Sequence, residues 1–227
     1  MQPNRGTPAA ARTTLNRDRV LRAAVRLADA DGFDALTMRG LADALGVKAM
    51  SLYNHVTNKD EIASGIVDLV LSEVELPVAG GRDWKAQLRR SAISVHEVLL
   101  RHRWAGRLMM STGTPSPARL RWMDATLATL RQAGFSTAQT DLGYHTLDSH
   151  ITGSALWLTN LPFRDEADVV ELVQQMLRSP FIEGLPYFAE HAQHHLERGP
   201  DRPDEFEFGL DLILDGIERM RTSRRRT

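Results

Sequence analysis

Cysteine is absent from the 227 residues. That excludes a disulfide framework, thiolate metal sites and a cysteine nucleophile, and it suits a reducing cytosol. No apolar run approaches the roughly 18 residues of a membrane-spanning helix, so no membrane association is expected. The opening stretch Met1 to Asn16 carries arginines with no apolar run behind them, so it does not read as a secretory leader. Sustained alternation of apolar and polar residues is missing, and strands are not expected. The sequence also lacks H-E-x-x-H, G-x-S-x-G, a phosphate loop and a glycine-rich dinucleotide fingerprint. An enzyme is therefore not expected, although an enzyme with a helical cavity is the runner-up reading.

What is present is ordinary globular material, 42% hydrophobic and 25% charged, enough for a real core. The formal net charge of −1 favours no partner, but its distribution does. Residues 1–60 hold nine Lys/Arg and six Asp/Glu, against 28 and 29 in the whole chain. A basic head on an acidic body suits a protein that meets phosphates with one end.

Helical periodicity runs almost throughout. Residues 1–15, rich in Pro, Ala, Thr and Arg, read as a flexible basic arm. Asn16 opens a helix with Val20, Ala24, Leu27 and Ala28 on one face, and Gly32 ends it. Thr37 opens a second helix with Met38, Leu41, Ala42 and Leu45 in register, stopped by Gly46. A third, short helix is expected over Ala49 to His55. Asn58 and Glu61 have capping-box spacing and open a fourth. Further on, Trp84, Leu88, Ala92, Val95 and Leu99 form one buried stripe. Leu120, Met123, Leu127 and Leu130 form another, Ser136 to Leu161 reads as one long helix, and Asp204 to Met220 is the last. The expected division is a head over 16–60, a body over 61–220 and a basic tail over 221–227.

Two short helices joined by a glycine turn match the helix-turn-helix plan. Ala42 is small where the helices approach, Gly46 admits the turn, and Val47 and Leu52 anchor the second helix to the first. Ala49, Met50, Ser51, Tyr53 and Asn54 are left outward or at the edges. With no acidic residue among them, such a helix can enter an anionic major groove.

The stretch Leu36-Thr37-Met38-Arg39-Gly40-Leu41-Ala42-Asp43-Ala44-Leu45-Gly46-Val47, continued by Ser51-Leu52-Tyr53-Asn54-His55-Val56-Thr57-Asn58-Lys59, resembles the head of tetracycline-repressor (TetR) family regulators. The resemblance implies an all-α protein, a helix-turn-helix head on a larger helical ligand-binding and dimerisation domain. It places Thr37, Arg39, Ala49, Met50, Ser51, Tyr53, Asn54, His55 and Lys59 in the DNA contact. Arg39 would read a base edge; Ala49, Met50 and Ser51 would face bases; Tyr53, Asn54, His55 and Lys59 would meet phosphate or sugar.

The body resembles that of the tetracycline repressors through Asp83-Trp84, Leu99-Leu100-Arg101-His102-Arg103, Ala133-Gly134-Phe135-Ser136 and Gly209-Leu210-Asp211-Leu212-Ile213. By that likeness Ser91, Val95, Met109, Thr112 and Thr126 line an effector cavity. Met109 stands where those repressors carry a histidine for a magnesium–drug chelate, and Glu75 replaces a second histidine. A thioether is a poor ligand for hard Mg²⁺. A largely hydrophobic effector is therefore expected, with no cofactor and no metal. His191, His194 and His195 share no convincing carboxylate spacing and are read as solvated. The expected protein is a ligand-responsive repressor in the bacterial cytoplasm, acting as a homodimer on palindromic double-stranded operator DNA.

Overall fold

The computed structural model describes residues 14–78, 80, 83–111, 115–161, 166–197 and 204–223. Most of the expected arm (residues 1–13), Thr112 and the arginines of the tail (224–227) lie outside the described residues. Among the described residues there are eleven α-helices, two short 3-10 turns and no strand. In order the helices are α1 (Arg17–Asp31), α2 (Met38–Leu45), α3 (Ala49–Leu52), α4 (Lys59–Leu71), α5 (Trp84–Arg101), α6 (Ala105–Ser111), α7 (Pro117–Gln132), α8 (Thr137–Asn160), α9 (Glu166–Leu177), α10 (Pro186–Glu197) and α11 (Glu205–Ser223).

Local chemistry sets most of these boundaries. Asn16, Thr37 and Asn58 each accept a backbone N–H three residues on, capping α1, α2 and α4. Ser136 and Gln139 complete a reciprocal capping box at α8. Gly46 ends α2 in the left-handed region (φ 66°), and the Val47 N–H closes onto the Ala42 carbonyl at 3.0 Å.

The chain forms two compact units. The first comprises residues up to 73 together with 101–119. Its centre is α4, where Ile62, Ala63, Gly65, Ile66, Val67, Val70 and Leu71 are buried. One face of α4 meets α1 and another meets α6. Gly65 allows the first approach, since a β-carbon there would lie 2.7 Å from Leu21 Cδ2. The unit is thus a head of four helices, α1 to α4, built around Leu41, Leu52, Val56 and Ile62, with α6 added to it.

The second unit comprises residues 74–100 and 120 onward. The expected stripe of α5 is buried in full: Trp84, Leu88, Ala92, Val95 and Leu99. The pair α8 and α11 is its most extensive helix contact. Phe206, Leu210, Leu214 and Ile217 supply the buried face of α11, with Leu147 and Ile151 buried on α8. A β-carbon on Gly209 would lie 2.6 Å from the His150 ring, so this crossing requires glycine.

Two expectations need correction. The third helix stops at Leu52, three residues early, because the N–H groups of both His55 and Val56 turn back to the Leu52 carbonyl while Val56 is drawn into the core. On α7 the buried residues are Ala118, Trp122, Thr126, Thr129 and Leu130, whereas Leu120 is exposed. The inward face of α7 is rotated from the expected stripe to seat the large Trp122, whose Nε1–H donates to Ser91 Oγ at 3.0 Å.

Candidate nucleic-acid interface

The first unit displays a surface built on α2, α3 and the turn that follows. Leu41, Ala42, Leu45, Leu52 and Val56 face inward, which fixes the direction of everything between them. Thr37 is the cap of α2, its hydroxyl accepting the Gly40 N–H at 3.0 Å. Two residues on, Arg39 is exposed. Met50 is 75% exposed and Tyr53 is 48% exposed. Asn54 is exposed, and Ala49, Ser51 and His55 are half-buried at the edges. Lys48 leads into α3 and is exposed, an addition to this face that helical periodicity does not mark.

Asp43 is exposed on α2, one turn after Arg39, but the charge of α3 and the turn that follows it is of one sign. No carboxylate occurs between Ala44 and Lys59. Of the two acids that follow, Asp60 is exposed, and Glu61 is engaged: its Oε2 accepts the Thr57 N–H at 2.7 Å and its Oε1 lies 3.3 Å from Arg17 Nε. The Thr57 bond is the main reason that the Glu61 carboxyl is held below its ordinary pKa, with Arg17 a smaller cause. Lys59 is also held within the head. Its ammonium donates to the Asp34 carbonyl at 3.1 Å and sits 4.8 Å from the centre of the Phe33 ring. An ammonium has three donors, so two remain for a phosphate.

The residues expected to meet an effector are placed as follows. Ser91, Val95 and Thr126 belong to the second unit and are buried. Ser91 accepts from Trp122, and the Thr126 hydroxyl donates to the Trp122 carbonyl at 2.9 Å. Met109 is half-buried on α6 in the first unit, and Thr112 lies outside the described residues. On the opposite face of α5, the second unit holds a cavity of about 480 Å³ between α5, the end of α8 and the start of α11. Its wall includes His96, Trp157 and Phe206. His96 stacks on Phe206 at 3.7 Å between centroids and lies 3.2 Å from Ser154 Oγ; burial pushes its pKa down. Periodicity did not mark this cavity, because its residues come from three helices distant in sequence. Among the described residues no group of histidine and acidic side chains is arranged to hold a metal ion, and no helix is long and apolar enough to cross a membrane.

Comparison with known proteins finds matches to both parts of the chain. The family model described as "Bacterial regulatory proteins, tetR family" matches residues 20–66. That described as "Tetracyclin repressor-like, C-terminal domain" matches residues 76–221. An HTH-type transcriptional regulator of Saccharopolyspora erythraea is 32% identical over 82% of this chain and 81% of its own length. The HTH-type transcriptional repressor DrrR1 of Streptomyces coeruleorubidus is 31% identical over 99% of this chain and 83% of its own. Among solved structures, the Streptomyces coelicolor TetR family protein ActR in complex with actinorhodin superposes with a TM-score of 0.74. It is 29% identical, with 92% of this chain and 99% of that one covered.

Proposed function

The chain belongs to the TetR family of bacterial regulatory proteins, and on that premise we propose that it is a ligand-responsive repressor. In this reading it binds a palindromic operator as a homodimer and is released by a small, largely hydrophobic molecule. The observation that carries the DNA role is the face of Arg39, Met50, Tyr53 and Asn54, held outward by a buried inner face, with no carboxylate on α3 or the turn that follows it. Arg39 suits a guanine edge, and Met50 suits a thymine methyl. Lys59, Tyr53, Asn54 and His55 suit the backbone, with Thr37 at the start of α2, whose amide end favours phosphate.

Dimerisation is supported by apolar residues that the second unit leaves in water. Leu142 and Trp157 on α8 are 59% and 70% exposed; Phe208 and Leu212 on α11 are 61% and 55% exposed. A two-fold pair of such helices covers both stripes at once. The repressor role is supported by the name of the DrrR1 relative, and the ligand role by actinorhodin bound to ActR. Ser91, Val95 and Thr126 are the proposed effector contacts of the second unit, a set with two small hydroxyls and no metal ligand. The chain passes between the units at residues 73/74, 100/101 and 119/120, so a change in one unit reaches the other through covalent links. A hundredfold preference of the effector for one arrangement is worth about 2.7 kcal/mol and weakens operator binding by that factor.

The test begins with duplexes selected from a random pool by the full-length protein. The expected product is an inverted repeat, bound in fluorescence anisotropy well above random duplex. Actinorhodin, in buffer containing EDTA, is the first probe for release. Failure to enrich any inverted repeat would sink the DNA reading, and a release that needs free Mg²⁺ would sink the metal-free effector.

A further inference from the structure

Residues 101–119 are covalently flanked on both sides by the second unit yet fold into the first. In five polar contacts of this segment with the rest of the unit, the acceptor is a carboxylate outside the segment. Arg101 Nη1 donates to Glu73 at 2.6 Å, and Arg107 donates to Asp34 at 2.6 Å. The Ala118 N–H donates to Asp68 at 2.7 Å. At the centre, Asp29 of α1 accepts from Trp104 Nε1 at 2.7 Å and lies 2.8 Å from His102 Nδ1.

His102 is the buried member, with 5% of its surface exposed. An ionised carboxylate only accepts, so the neutral ring carries its proton on Nδ1. That leaves Nε2 as a bare acceptor, and it is a buried polar atom with no hydrogen-bond partner. The atom nearest to serving it is Glu73 Oε2 at 3.9 Å, which is another acceptor. The neutral ring therefore leaves one contact unmade. A proton on Nε2 converts the mismatch into a donor facing a carboxylate, with Asp29 on the opposite side of the same ring.

We propose that this segment is a clasp on the DNA-reading unit and that His102 sets how firmly it holds, by taking up a proton between Asp29 and Glu73. The proposal rests on the reading of this unit as the DNA-reading one, and it names a regulation of it. Charged groups around the ring within the unit are Asp29 from α1, Glu73 from the turn after α4, Arg101, already engaged on Glu73, and Arg103, which lines the same cleft as Asp29. Arg22 of α1 also feels the charge of Glu73. Arg101 and the proton compete for Glu73, and a carboxylate has room for both. As pH falls the clasp tightens, and α1 is held more firmly to the segment that the second unit carries.

The experiment uses full-length protein without DNA, so that it reads the clasp whether or not the DNA assignment holds. Amide hydrogen exchange of residues 17–31 and 102–111 is followed from about pH 8 to about pH 5, the range in which imidazoles change charge, with intrinsic rates divided out. The expected result is a gain in protection of about threefold to tenfold on acidification, in line with a charge-assisted hydrogen bond. His102→Asn places an amide N–H where Nδ1 donates to Asp29 but cannot titrate, and the gain should vanish. Glu73→Gln, an exposed change that spares the fold, should reduce it. Nitrogen shifts of the ring should show the proton on Nδ1 at high pH and on both nitrogens at low pH. Equal pH profiles for wild type and His102→Asn, or a ring that stays neutral throughout, would overturn the clasp. Loss of operator binding with an intact profile would overturn only the DNA reading.

Discussion

Arg39 and Lys59 show how two cations on one small head take different duties. Arg39 is exposed on α2, with a guanidinium fork suited to one guanine. Lys59 is partly used at home, on the Asp34 carbonyl and the Phe33 ring. Arg39→Ala should cost about 1–3 kcal/mol on the selected operator and relax preference at one base pair. Lys59→Ala should weaken selected and random duplexes alike and flatten the salt dependence by about one unit. It should also lower the melting temperature of the free protein, because the link to the 33–35 turn goes with it. Anisotropy titrations at several salt concentrations, with melting curves beside them, separate the two. Parallel losses on both kinds of DNA for both variants would show that the roles are misassigned.

Helix ends and helix crossings set the stability of the elements. At the start of α4, Glu61 serves the Thr57 N–H, and its pKa is lowered for that reason first. A carboxyl held below its unfolded value, about 4.3, contributes stability above that pH. The contribution is lost as pH falls through the lowered folded value. The head should therefore loosen in acid below about pH 4.3, and Glu61→Gln should be less stable at neutral pH while losing less on acidification. Urea melts across that range provide the measurement. At the α8–α11 crossing, Gly209→Ala sets a methyl against a ring that cannot yield easily, since His150 is bonded to the Phe206 carbonyl at 2.9 Å and stacked on the Phe206 ring. Overpacking of this kind costs about 1–3 kcal/mol. Better helix propensity returns at most about 1 kcal/mol. A net loss of about 1–2 kcal/mol is expected, and an unchanged melt would mean that the crossing can open.

For the whole molecule the decisive property is association. Leu142, Trp157, Phe208 and Leu212 are exposed in the single chain. A two-fold dimer through α8 and α11 should sediment as one species at low micromolar concentration. Leu212→Glu with Trp157→Glu should shift it to monomer, because each buried carboxylate would lack a partner. Operator binding should fall with it, since one head reaches only one half-site. A wild-type monomer would remove the basis for a palindromic site, whereas a dimer untouched by the double variant would place the interface elsewhere.

Most helix positions are legible in the sequence, although Pro180, Pro186, Pro200 and Pro203 obscure α10. Asn16, Thr37 and Asn58 declare themselves as caps, and Gly46 as a stop, because capping is chemistry within three or four residues. The outward set of Met50, Tyr53 and Asn54 was legible too, since an apolar anchor such as Leu52 fixes the faces of a short helix. Tertiary structure decided what depends on residues far apart. The face of α7 turns to seat Trp122 on Ser91, 31 positions away. Asp29 meets His102 and Trp104 more than seventy positions on. Residues 101–119 fold with the head and not with their neighbours in sequence. No local period encodes these choices, because they follow from which side chains fill a shared volume and which buried donors find an acceptor.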